Sequence, residues 1–124
     1  MMPLSAIIPH GENIVIDERQ AEAANDFIRD NAGKHAEAKA NRIQLMEFRK
    51  SKKAMLMNEK QGQPEHVRAS HAYAHPDYLE ILDGIQQAVE AEETLRWRMK
   101  AAEQKIELYR TQQANNRMVD KSHR

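Results

Sequence analysis

Cysteine is missing from all 124 residues. That removes disulfides, thiol nucleophiles and cysteine-ligated zinc. Glycine and proline occur four times each, too little punctuation for a turn-rich β fold. Aromatics are 5% of the chain, with a single tryptophan, so a thick globular core is not in prospect. No apolar run approaches the ~18 residues of a membrane span. The opening MMPLSAIIPH has neither the basic leader nor the long apolar stretch of a secretory signal. The expectation is a cytoplasmic protein with no membrane partner. Nucleophile elbows, P-loops, GxGxxG turns and paired acids with a cleft are also missing. The expectation is therefore a non-enzymatic protein with no catalytic residue and no cofactor.

What the chain has in plenty is helix-forming charge. Asp, Glu, Lys and Arg are 31% of residues, and the mean hydropathy is −0.85. This is the profile of long helices in one domain. The strongest pattern runs from Ile81 to Gln113 as an unbroken 4-3-4-3 spacing: Ile81, Ile85, Ala88, Glu92, Leu95, Met99, Ala102, Ile106, Tyr109, Gln113. All but Glu92 and Gln113 suit the seam of a coiled-coil-like helix. A helix cannot bury such a stripe against itself, so it requires a partner helix.

Punctuation sets the other elements. Residues 1–16 read as an extended lead-in, broken by Pro3, Pro9 and Gly11 and ending in Ile14-Val15-Ile16. Asp17 is an N-cap for a helix over 17–31, with Ala21, Ala24 and Ile28 on one face. Asn31 and Gly33 mark a weak spot, and whether Gly33 breaks the helix stays open. A first arm follows over 34–58, its apolar stripe read as Ala38, Leu45, Phe48 and Met55. Gln61-Gly62-Gln63-Pro64 is the clearest turn. A short helix over 64–75 ends before Pro76, which opens the long arm 76–117. Residues 118–124 form a tail. The expected architecture is all-α: an elongated antiparallel hairpin, with the N-terminal helix folded onto the stretch of the long arm that the first arm does not reach.

Net charge is zero, from 19 basic and 19 acidic residues, but the signs are blocked. Residues 1–33 carry −4, 34–60 carry +5, 61–95 carry −6 and 96–124 carry +5. In a hairpin turning near Gly62 each block lies beside its opposite. This favours one register, although each exposed pair contributes only ~0.2–1 kcal/mol. The same basic residues also suit phosphate. Arg49, Lys50, Lys52 and Lys53 form one candidate strip. Arg96, Trp97, Arg98 and Lys100 form a second, with Arg110 and Arg117 beyond it. Cations neutralise phosphates and an interleaved aromatic stacks on a base.

Trp97 falls on the outer side of the long arm. The lead-in (Ile7, Ile14, Val15, Ile16) is expected to lie over it, together with Ala101 and Leu108. The competing reading is contact with another molecule. Glu92 is expected to pair with a base on the facing arm. His71, His75 and Asp77 have partial metal-ligand spacing, but Pro76 interrupts the helix between them. They are read as turn and helix-end residues, with no metal.

Lys52-Lys53-Ala54, His75-Pro76-Asp77-Tyr78, Leu82, Leu95, Ile106-Glu107, Tyr109-Arg110-Thr111, Ala114 and Arg117 together resemble a loose group of small helical bacteriophage and prophage proteins found near recombination genes. The resemblance covers about residues 45–117. It implies a phage accessory protein in a bacterial host cell that binds a protein or single-stranded nucleic acid in DNA recombination or replication. Two other roles fit the same features: an inhibitor of a host nuclease or defence complex, and a structural oligomeriser forming a homodimer.

Overall fold

The computed structural model describes residues 15–122. Three helices account for nearly all of them: α1 (Glu18–Asn58), α2 (Glu65–Ala74) and α3 (Pro76–Ser122). No strand occurs among the described residues. α1 and α3 lie antiparallel along their length, and α2 packs across the end where the chain turns. At ~1.5 Å per residue the two long helices measure roughly 60 and 70 Å.

α1 starts where the sequence closes a capping box. The Gln20 amide donates to Asp17 Oδ1 at 2.8 Å, and the Asp17 amide donates back to Gln20 Oε1 at 3.0 Å. From there α1 runs 41 residues without a break. The expected N-terminal helix is thus not a separate element but the first four turns of the same arm. Gly33 does not interrupt it, because the residue faces solvent with no atom within 4 Å of a would-be Cβ. Its intrinsic cost of ~1 kcal/mol is outweighed by packing on either side.

The turn needs a glycine. Gly62 has φ +89°, a left-handed conformation that side chains resist. The Arg68 guanidinium then donates from Nε to the Met57 carbonyl at 3.1 Å, satisfying one of the open acceptors at the end of α1. His75, held extended before Pro76, accepts the Asp77 amide on Nδ1 at 3.1 Å. That bond caps the start of α3.

Burial follows the long-arm spacing closely. Tyr78, Ala88, Glu92 and Ala102 are buried, and Ile81, Ile85, Leu95, Met99, Ile106 and Tyr109 are half-buried. Only the last position moves: Gln112, not Gln113, turns inward. Its Oε1 accepts the Ile16 amide at 3.0 Å, so the end of the lead-in is tied to the end of α3.

The facing stripe of α1 differs from the expectation. Ala21, Ala24, Ile28, Asn31, His35, Ala38, Arg42, Leu45, Arg49, Lys52 and Leu56 are its buried or half-buried residues at 3-4 spacing. Phe48 and Met55 stand one position to the side and are 46% and 51% exposed. Five members of the true stripe are polar. Asn31 donates to its own helix at the Phe27 carbonyl, 2.8 Å away. Lys52 reaches Asp77 at 3.3 Å. Arg42 grips Glu92 with Nε and Nη2, the latter at 3.2 Å from Oε1. Gly84 lies beside Leu45 at ordinary van der Waals range, so its lack of a side chain is not what lets the helices meet.

The densest packing is at the turn. Leu56, 2% exposed, meets Ala72 and Tyr78, with Met57 against them. Burying a leucine so completely contributes about 1.5–3 kcal/mol. Tyr73 stacks edge-on to Tyr78 at 5.4 Å and carries Lys53 over its ring at 4.6 Å.

Candidate partner interface

The 3-4 spacing of both helices fixes which side chains are free to meet another molecule. Residues one place after a seam position lie along one face of the hairpin. Residues one place before it line the opposite face. Four basic residues within five positions of a helix therefore cannot make one strip.

The first candidate strip shows this. Arg49 and Lys52 are seam positions, half-buried, and Lys52 is engaged with Asp77. Lys53 is committed to the Tyr73 ring. Lys50 is exposed and bonds Glu47 at 3.0 Å. Of the four, only Lys50 is fully on the surface, while Arg49, Lys52 and Lys53 are half-buried. The charge blocks meet as expected in Arg42–Glu92 and Lys52–Asp77. The other Arg and Lys pairs, such as Arg29–Asp26 and Arg110–Glu107, form within a single helix.

The second strip divides. Arg98 lies on the opposite side of α3, in a groove with Phe27, Ala101 and Lys105. Arg96, Trp97 and Lys100 stay together. Trp97 is 59% exposed, and no described residue of the lead-in lies over its indole. Val15 and Ile16 sit instead beside Tyr109 and Gln112, while Ile7 and Ile14 lie outside the described residues. The Arg96 guanidinium carbon stands 4.7 Å from the indole centroid and Lys100 Nζ 5.3 Å. Glu93 anchors the group: its Oε2 accepts from Trp97 Nε1 at 3.1 Å and from Arg96 Nη2 at 2.8 Å. The bond from Arg96 holds the Glu93 carboxyl below the usual carboxylate range, and Glu93 in turn raises Arg96. Such cation–π contacts are worth about 0.5–1 kcal/mol at exposed sites. They fix the indole in place while leaving most of it open.

Arg110 and Arg117 continue on the same edge, one and two heptads past Glu103. Arg110 pairs with Glu107 at 2.8 Å, and Arg117 donates to the Gln113 carbonyl at 3.4 Å. From Arg96 to Arg117 the edge spans about 31 Å. Near the turn, His71 Nε2 lies 2.8 Å from Glu59, lowering the Glu59 pKa through that hydrogen bond. His71 and His75 thus serve the turn and the helix end. Sequence spacing marks the Glu93–Arg96 pair, but sequence reading missed the Tyr73 perch for Lys53 and the bond from Trp97 to Glu93. The 93–97 spacing alone signals the latter.

No helix is long and apolar enough to cross a membrane among the described residues. Comparison with protein-family models, curated proteins and solved structures finds no match.

Proposed function

We propose that this chain is a non-enzymatic binding protein whose working surface is the α3 edge from Arg96 to Arg117, with Trp97 as its anchor. One observation carries the reading. The only tryptophan stands outward on a rigid helix, 59% exposed and flanked by two cations. Large exposed aromatics with neighbouring arginine are the usual anchors of interfaces. Single-stranded nucleic acid suits this surface: the indole supplies a stacking platform, and Arg96, Lys100, Arg110 and Arg117 follow a backbone. The acidic partners Glu93 and Glu107 equally suit a protein surface of mixed charge. The phage or prophage setting, in recombination or replication, rests on the resemblance over residues 45–117.

Because Trp97 is the sole tryptophan, its fluorescence reports this site alone. Titration with single-stranded oligonucleotide at ~50 mM salt is expected to quench it, with a log–log salt slope of about −3 for four phosphate contacts. Trp97→Ala is expected to weaken binding by ~1–3 kcal/mol. No quenching and no gel shift at low salt removes nucleic acid and leaves the protein partner.

A further inference from the structure

The half of the same face nearer the turn has a different character. Ile43 and Met46 on α1 and Leu79, Leu82 and Val89 on α3 lie one place after seam positions, so they share one side of the hairpin. They are 37–50% exposed. The two edges of this face differ in sign. α1 brings Lys39, Lys50 and Lys53 with one acid, Glu47, among them, and α3 brings Glu80, Asp83 and Glu90. An apolar strip between a basic and an acidic edge complements itself when turned over.

We propose that this face binds a second copy of the chain, through a two-fold axis running along the rod. That operation lays α1 of one copy over α3 of the other, basic edge on acidic edge, and gives an up-and-down four-helix bundle. The heights agree. Arg42 meets Glu92, and Leu45 lies beside Gly84. Ile43 and Val89, like Met46 and Leu82, therefore sit within about 3 Å of a common level. The axis brings Ile43 of one copy to Val89 of the other and Met46 to Leu82. A two-helix layer leaves this strip in water, whereas a second layer buries it.

Area sets the strength. The face from Lys39 to Lys53 on α1 is about 21 Å long and two helices, about 20 Å, wide. Both copies together thus bury about 800 Å², in the range of weak, transient contacts rather than of a permanent dimer. The dimer is weak and reversible, and it leaves the Trp97 edge free, so the inference stands apart from the function proposed above.

Sedimentation equilibrium of the full chain from ~5 to ~500 µM is expected to show a monomer–dimer equilibrium with a midpoint in the tens of micromolar. Leu82→Glu is expected to shift it at least ~10-fold toward monomer, with unchanged helicity, because Leu82 faces away from the seam. The absence of native cysteine permits a clean orientation test. A mixture of Ile43→Cys and Val89→Cys chains is expected to form disulfide-linked dimers several-fold faster than either variant alone. A monomer at every concentration, or either variant linking to itself faster than to the other, overturns the proposal.

Discussion

The two ends of the hairpin use the same 3-4 spacing and fill it differently. At the turn, Leu56, Ala72 and Tyr78 close a three-helix core, and Arg68 and His75 tie off both helix ends. At the open end the buried residues are Ile16, Ala21, Ala24 and Ala102. Alanines let the helices approach but remove little apolar surface from water. A regular pattern thus dictates the geometry along the whole rod, while side-chain size decides where stability is concentrated. The turn is the part that holds the hairpin, and the open end is the part that opens first.

Truncation should separate the ends most sharply. Leu56→Ala is expected to cost ~2–4 kcal/mol, read from the urea midpoint by circular dichroism. Ile106→Ala, at a half-buried site in the open half, should cost less than half as much. Equal losses would erase the distinction.

The middle of the seam answers to acid. Hydrogen bonds from Arg42 hold Glu92 below the ordinary glutamate range. As pH falls, the unfolded chain takes up its proton first, near ~4.3, and the native chain only later. The pair's contribution is therefore complete above about pH 5 and is lost as pH drops through the native value. Glu92→Gln is expected to flatten this acid limb of stability. Glu59→Gln, at the exposed turn, should flatten it less.

The glycines give smaller effects of opposite sign. Gly62→Ala forces a side chain into φ +89° and is expected to cost ~1 kcal/mol or more. Gly33→Ala and Gly84→Ala meet no clash and should each add ~0.5–1 kcal/mol. A loss at Gly33 would mean that α1 bends there after all.

The long arm was legible because its seam is apolar at every position from Ile81 to Tyr109 except Glu92, and a hydrophobic period is what a sequence displays most clearly. The facing stripe was not, because it runs through Asn31, His35, Arg42, Arg49 and Lys52. An apolar scan moved one place over, to Phe48 and Met55. Polar seam residues become readable only with their partners: Arg42 belongs there because Glu92 lies opposite. His35 shows the limit, since its Nε2 is buried without a hydrogen-bond partner among the described residues. The outward direction of Trp97 followed from the period. Its exposure did not, because a helical period says nothing of what lies over the outer side. The split of Arg98 from Arg96 was available from the 100° step per residue, and so was the dispersal of the Arg49–Lys53 run.

Antiparallel register is the point on which both the free edge and the apolar face depend. Leu45→Cys with Ile85→Cys, in a chain with no other thiol, tests it directly. Mild oxidation of dilute protein should give a fast intrachain disulfide that migrates as a compact monomer. Failure to link, or linkage only between chains, would contradict the hairpin described above.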